Sequence, residues 1–233
     1  MPEEINIPAC WVKNLSYKYP DNHEALKNVS FTVNQGEKVA LVGANGSGKS
    51  TLLLHLAGAI ETQQGEILLN KNIGLVFQDS DNQLLMPSVI EDVAFNLVAK
   101  GVNTSKAHES AKNLLESLGI SHLADRPPHK LSGGEKKLIT IAGTIISQPE
   151  ILALDEPTSG LDPRARRRVI NFLRESDKTI LLATHDLDMA LDICSRAVIL
   201  HNGQIAIEGI LPELFTNREI LERYGLELPL RYS

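Results

Sequence analysis

Cysteine is nearly missing from this chain. The two present, Cys10 and Cys194, stand far apart with no C-x-x-C spacing. That excludes a disulfide framework and a thiolate zinc site, and it points to a reduced, cytosolic setting. Long apolar runs are missing too. No stretch approaches the roughly 18 residues of a membrane span. The start, Met1-Pro2-Glu3-Glu4-Ile5, is acidic and lacks the apolar core of a secretory leader. A chain of this kind that works at a membrane relies on another chain to cross it. Basic excess is the third absence: 23 Lys and Arg against 29 Asp and Glu leave a net charge of −6 and a pI near 5.7. A broad nucleic-acid-binding face is therefore not expected. What remains is ordinary for a folded domain, with 42% hydrophobic residues over 233 positions, enough for one large domain or two modest lobes.

Against that background one stretch stands out, Gly43-Ala44-Asn45-Gly46-Ser47-Gly48-Lys49-Ser50-Thr51. It follows the apolar run Val39-Ala40-Leu41-Val42, which reads as a short buried strand, and leads into Leu52-Leu53-Leu54-His55-Leu56-Ala57, which reads as a helix. Strand, glycine loop, helix is the context that the pattern G-x-x-x-x-G-K-[ST] requires. The glycines let successive N–H groups curl toward an anionic oxygen, and the positive end of the following helix reinforces them. Lys49 is placed to reach the β and γ phosphates, and the Ser50 hydroxyl to ligate the Mg²⁺ that bridges them. The alternative is a glycine-rich turn with an incidental lysine.

Upstream, Trp11–Leu15 and Leu26–Phe31 read as two strands of a hairpin around the polar turn Pro20-Asp21-Asn22-His23. Tyr17 and Tyr19 precede that turn, and position alone leaves both open between stacking on an adenine and packing on the sheet. Downstream, Gly65–Leu69 and Ile73–Phe77 read as strands joined by Asn70-Lys71-Asn72. Gln78 ends the second, and the polar loop Asp79-Ser80-Asp81-Asn82-Gln83 follows. From Pro87 to Ser147 only helical periodicity appears. Ser88 with Glu91, and Ser132 with Glu135, form capping boxes, Pro127-Pro128 breaks the run, and Leu138, Ile141, Ala142 and Ile145 share a buried face.

Ile151-Leu152-Ala153-Leu154 reads as a buried parallel strand that ends in Asp155-Glu156. Adjacent carboxylates at such a strand end are costly unless a cation or a reacting water lies between them. This makes Asp155 the natural partner of Mg²⁺, directly or through one of its ligands, and Glu156 the natural base toward water; the alternative is a strand that simply runs into the polar turn at Pro157-Thr158. Asp162 and Pro163 open a helix as N-cap and N1, and its Arg164, Arg166, Arg167 and Arg168 read as a solvated face rather than a phosphate patch. Thr179–Thr184 is a further buried strand with His185 just past it. If the strands are neighbours, one sheet edge collects Gln78, Glu156 and His185. Ala197–Leu200, the turn Asn202-Gly203 and Gln204–Gly209 close a hairpin, and helix follows to about Tyr224.

In order and over essentially the whole length, these residues resemble the nucleotide-binding subunit of ABC transporters. Gly43–Ser50 match its Walker A, Gln78 its Q-loop, Leu131-Ser132-Gly133-Gly134-Glu135 its signature, Ile151–Glu156 its Walker B, Ser159-Gly160-Leu161-Asp162 its D-loop, and His185 its switch histidine. Tyr19 matches the aromatic that stacks on adenine. The run Val76 to Leu84 with Glu91-Asp92-Val93-Ala94-Phe95 is similar, more narrowly, to the energy-coupling-factor (ECF) class, importers of vitamins and of cobalt or nickel ions.

The resemblance implies an α/β fold: a P-loop NTPase core with a parallel central sheet, a small antiparallel β subdomain and an inserted helical subdomain. The expected division is 1–78 with 147–233 for the core and 79–146 for the helices. It also implies ATP and Mg²⁺ as cofactors, with Ser50, Gln78 and Asp155 toward the metal. Glu156 polarises the attacking water, His185 holds the γ phosphate, Lys49 offsets developing charge, and Gln78 completes the catalytic set. In the family two copies face head to tail, so Ser132, Gly133 and Gly134 cap the ATP held by the Walker A of the other copy. The sequence supplies a physical reason, because a helix start that binds anions has no second phosphate in its own chain. The implied partners are a second copy or a paralogous ATPase subunit and an integral membrane subunit docked near Gln78 to Leu84, at the cytoplasmic face of the membrane. The alternatives are a soluble ABC ATPase acting on nucleic acid or the ribosome and a subunit of another transporter class. Glu135 stands where Gln is commonest and Leu138 where a basic residue is common. The short segment Gly65 to Ile73 implies a trimmed antiparallel subdomain, and an end near Tyr232 without a longer extension leans toward a homodimer.

Overall fold

The computed structural model describes residues 8–80 and 83–233. The acidic start Met1–Ile5, and Asp81 and Asn82 of the polar loop, lie outside the described residues. The chain divides into two compact units, residues 1–75, 150–156 and 176–233, and residues 76–149 and 157–175.

The first unit is α/β with two sheets. Strands β1 (Cys10–Lys18), β2 (Glu24–Val33) and β4 (Gln64–Leu69) form a three-stranded antiparallel sheet in the order β2-β1-β4. Strands β3 (Lys38–Val42), β5 (Ile73–Val76), β6 (Ile151–Asp155), β7 (Thr179–Thr184), β8 (Arg196–His201) and β9 (Gln204–Ile210) form a six-stranded sheet in the order β5-β6-β7-β3-β8-β9. β3 pairs in parallel with β7 and β8, β6 pairs in parallel with β7, and β9 is antiparallel to β8. β6 and β7 are buried at every position, as their unbroken apolar runs require. Helix α1 (Lys49–Leu56) sends Leu52, Leu53 and Leu56 into the apolar cluster that also takes Val12 and Leu15 of β1 and Ile151 and Ala153 of β6.

β4 and β5 are consecutive but belong to different sheets, a point the sequence reading left open, and two other features differ from that reading. Asn70 is tied to the start of β1 through Ala9 O and Pro8 O, while the Asn72 carbonyl accepts the Glu150 and Ile151 N–H groups at 3.0 Å and seats β5 beside β6. β5 also stops at Val76, leaving Phe77 and Gln78 outside it. The terminal helix is two helices, α7 (Leu211–Phe215) and α8 (Arg218–Arg223), because Asn217 leaves the helix and caps the second through the Ile220 N–H at 3.1 Å. The hairpin turn forms as read, with Asn202 and Gly203 both at positive φ (51° and 80°), the geometry of a twisted two-residue turn. Helix α6 (Leu187–Ile193) completes this unit.

The second unit is helical. α2 (Val89–Ala99), α3 (Thr104–Ser117) and α4 (Gly133–Ile145) pack on one another and fully bury Val93, Ala94, Ala111, Leu115 and Ile139, and α5 (Pro163–Glu175) packs on α4. Both capping boxes form, and Asn103 caps α3 through the Ser105 N–H at 3.0 Å.

A candidate nucleotide site

The glycine loop leaves β3 in the centre of the large sheet and enters α1 at Lys49. Its tightness explains two of its glycines. A Cβ on Gly43 would stand 2.2 Å from Leu200 O, and one on Gly48, at φ 108°, would stand 2.6 Å from Ala25 O. No other residue fits either place. Ala44, Asn45, Gly46 and Ser50 are exposed, so the crown of the loop faces solvent. The buried Lys49 ammonium donates to Gly43 O at 2.7 Å and Ala44 O at 3.1 Å. Burial lowers its pKa, and the negative charges of Glu156 and Asp155 oppose that shift. Ser47 Oγ is buried with no hydrogen-bond partner among the described residues. A buried hydroxyl left over in a loop of amides suits a phosphate oxygen.

The tyrosine rings meet edge to face at 4.9 Å but have different surroundings. Tyr17 packs against the core cluster and meets His55 edge-on at 4.6 Å, whereas Tyr19 is stacked near His23 at 6.4 Å with the rings 18° apart. The Tyr19 hydroxyl is 3.1 Å from Thr51 Oγ1, which attaches the ring to α1 just beyond the loop.

Asp155 and Glu156 lie at the end of β6, both buried. Glu156 turns into the left-handed region at φ 45°, and its N–H reaches Ala183 O of β7 at 2.9 Å. This turn aims the side chain along the ends of β6 and β7. Its Oε1 accepts the His185 N–H at 2.9 Å and lies 2.7 Å from His185 Nδ1; its Oε2 accepts the Thr184 hydroxyl at 3.0 Å. The His185 side chain is 64% exposed and that of Glu156 8%, so the ring is the movable member of the pair. β5, β6 and β7 are neighbours in that order, and the ends of β6 and β7 bring Glu156 and His185 together. Thr184 escaped the sequence reading: a threonine closing a strand signals β propensity and nothing more.

In the second unit, Ser132 Oγ caps α4 through the Glu135 N–H at 3.3 Å, and Glu135 Oε2 accepts both the Ser132 N–H and hydroxyl at 2.8 Å. The Ser132 N–H, ahead of the hydroxyl, holds the Glu135 carboxyl below the usual range. Gly133 has open space around it, and a Cβ on Gly134 would meet Leu161 at 3.5 Å. Gln78 is exposed, but its carbonyl and that of Phe77 accept the buried Lys137 ammonium at 2.6 and 2.9 Å. The sequence reading passed over Lys137. A cavity of about 180 Å³ opens among Leu84, Leu85, Met86, Asp92 and Phe95, beside the polar loop. Arg164, Arg167 and Arg168 of α5 are exposed, and Arg166 is half-buried.

Among the described residues no cluster of three or more His, Cys, Asp or Glu could hold a metal, and no helix is long and apolar enough to cross a membrane. The oxygens at and beside the loop include the Ser50 hydroxyl and the Asp155 carboxylate. These are hard oxygens of the kind Mg²⁺ takes one or two of when phosphates and waters supply the rest.

The ABC transporter family pattern matches residues 26–159. The energy-coupling factor transporter ATP-binding protein EcfA of Methanosphaera stadtmanae is 38% identical over 235 residues, covering 93% of this chain and 84% of that one. The structure of cbiO1 from Clostridium perfringens, part of the ABC transporter complex cbiONQ, is 35% identical with a TM-score of 0.79, covering 93% of this chain and 94% of that one. The dimeric post-hydrolysis structure of an ATP-binding cassette bound to ADP and Pi is 27% identical with a TM-score of 0.79, covering 87% and 98%.

Proposed function

Because the chain belongs to the ABC transporter ATP-binding family, and so is the ATPase subunit of a transporter, we propose that it powers an ECF-type importer of a vitamin or of cobalt or nickel ions. In this reading it works as a dimer at the cytoplasmic face of the membrane. The observation that carries the catalytic part is the buried Glu156 carboxylate, clasped by Thr184 and His185 at the strand ends beside the phosphate loop. Its likeness to EcfA and cbiO1 supports the ECF class.

The residues act as follows. ATP phosphates settle on the amides of Gly43 to Ser50 with the Ser47 hydroxyl as an added donor, and Lys49 leaves the Gly43 and Ala44 carbonyls for the β and γ phosphates. Ser50 and Asp155 hold Mg²⁺, with Gln78 as the resemblance assigns it. When bound, that ion withdraws charge from the phosphoryl oxygens. Tyr19 stacks on the adenine. Glu156 takes a proton from the attacking water, and His185 turns from Glu156 to the γ phosphate. Ser132, Gly133 and Gly134 cap the nucleotide of the partner copy, so ATP closes the dimer and hydrolysis lets it open. The cavity at Leu85 and Phe95, side chains that are 73% and 47% exposed, suits a segment of the membrane subunit.

Glu156→Gln is expected to slow ATP turnover by about 10²-fold or more while calorimetry records ATP binding intact. Turnover at the parental rate would remove Glu156 from the role. Affinity capture from detergent-solubilised membranes should bring down an integral membrane subunit, whose substrate pocket identifies the cargo. Capture of ribosomes or nucleic acid in its place would overturn the transport reading.

A further inference from the structure

Thr184 closes β7 and is fully buried. Its hydroxyl accepts the Asp186 N–H at 3.0 Å and lies 3.0 Å from Glu156 Oε2. A hydroxyl has one proton to give. With the amide already donating to it, the arrangement that satisfies both neighbours sends that proton to the carboxylate. Asp186 in turn caps α6, accepting the Met189 N–H at 2.9 Å, so the hydroxyl is mounted on the start of a helix. The other carboxylate oxygen has a different kind of partner. Oε1 accepts the His185 backbone N–H at 2.9 Å and lies 2.7 Å from Nδ1 of the ring, which is largely exposed.

We propose that Thr184 is a positioning residue for ATP hydrolysis. Its hydroxyl fixes Oε2 of Glu156, so that when the His185 ring swings to the γ phosphate, Oε1 remains aimed at the attacking water. This rests on the reading of Glu156 as the base. In that step the water oxygen bonds to the γ phosphorus as the bond to the β–γ bridging oxygen breaks. The water proton passes to Oε1, and ADP leaves with the bridging oxygen. The terminal torsion of a glutamate is broad. With the ring away and no donor on Oε2, the His185 N–H alone would hold the carboxylate, at one oxygen, leaving it free to turn about that bond and to lose the near-attack geometry part of the time. A purely structural role is the competing account, in which a buried hydroxyl takes whatever acceptor is nearest. The two diverge in how Thr184 and Glu156 combine.

The test is a double-mutant cycle on the purified chain. Thr184→Val and Thr184→Ser are made alone and in the Glu156→Gln background, with kcat and KM for ATP measured beside nucleotide affinity by calorimetry. Thr184→Val should lower kcat by about tenfold or more, with KM and affinity within about twofold, because only orientation is lost. Thr184→Ser, which restores the donor, should return kcat to within about threefold of the parent. In the Glu156→Gln background Thr184→Val should cost nothing further, since no base remains to be aimed. Parental kcat in Thr184→Val, an equal loss in both backgrounds, or a loss that falls on ATP affinity would each overturn the proposal. If Thr184→Val does not fold, Thr184→Ala carries the same comparisons. Failure of the underlying reading looks different: Glu156→Gln alone would then turn over at the parental rate.

Discussion

Glu156 adopts φ 45°, a region that costs a residue with a Cβ roughly 1 kcal/mol or more. That cost is offset locally, by the N–H bond to Ala183 O and by the donors on both carboxylate oxygens. Lys49 shows the same economy in reverse. Its ammonium is buried at the cost of a lowered pKa and held by two loop carbonyls, an arrangement that ATP would replace with stronger, charge-assisted bonds. Lys49→Ala is therefore expected to weaken ATP binding by about tenfold to a hundredfold, the range for a lost hydrogen bond to a charged group. The fold should be spared, because the variant also removes a desolvated charge. Calorimetry with ATP decides it, and unchanged affinity would end the phosphate-loop reading. At this scale the glycine loop was legible because backbone curvature, close approach and charge are all written as residue types. Thr184 and Lys137 were not, since their significance lies in what a buried polar atom touches, which no spacing encodes.

Elements are joined by a different chemistry, concentrated at Arg196 on β8. Its guanidinium bonds Glu37 in a fork at 2.6 and 3.1 Å, Glu208 of β9 at 2.9 Å and the Thr32 carbonyl of β2 at 2.6 Å. One side chain thus ties the antiparallel sheet, the turn before β3 and the edge of the large sheet. Burial alone would raise the Glu37 carboxyl. The Arg196 and Asn34 hydrogen bonds and the guanidinium charge together outweigh it and hold the group below its ordinary value. A carboxyl with a depressed folded-state pKa stabilises the fold above its unfolded value, near 4.3, and that contribution fades as pH falls through the lower folded value. Glu37→Gln should therefore cost about 2 kcal/mol from neutral pH down to about pH 5, and the gap to the parent should narrow as pH falls further, through the lowered folded value. Denaturant titrations at several pH values measure this. A gap that widens on acidification would contradict the assigned direction. Strand and helix identities were legible here from period and caps, as at Ser88–Glu91 and Asn202-Gly203. The partition of β4 and β5 between sheets was not, because it depends on Asn70 and Asn72 bonding to remote backbone. The break between α7 and α8 was open to a reader who gave Asn217 weight as a cap.

For the molecule as a whole, the net charge of −6 adds a repulsive contribution to association of two copies, which something cationic or bridging would offset. The turn at Ser132 embodies that tension. Its amides and the α4 dipole favour an anion, yet Glu135 places a carboxylate on the Ser132 N–H and hydroxyl at the same helix start. If the turn caps the γ phosphate of the partner's ATP, that carboxylate opposes closure, and its removal favours it. Glu135→Gln keeps the side chain's length and an acceptor for the capping box while deleting the charge. In the Glu156→Gln background, where ATP persists, the variant is expected to lower the protein concentration at which the mass doubles by about threefold to tenfold, with the advantage shrinking as salt rises. Light scattering across a dilution series with ATP and Mg²⁺ measures this directly. An ATP-dependent dimer whose strength is indifferent to Glu135 at low salt would place the Ser132 turn away from the phosphate. A protein that stays monomeric with ATP would remove the dimer itself.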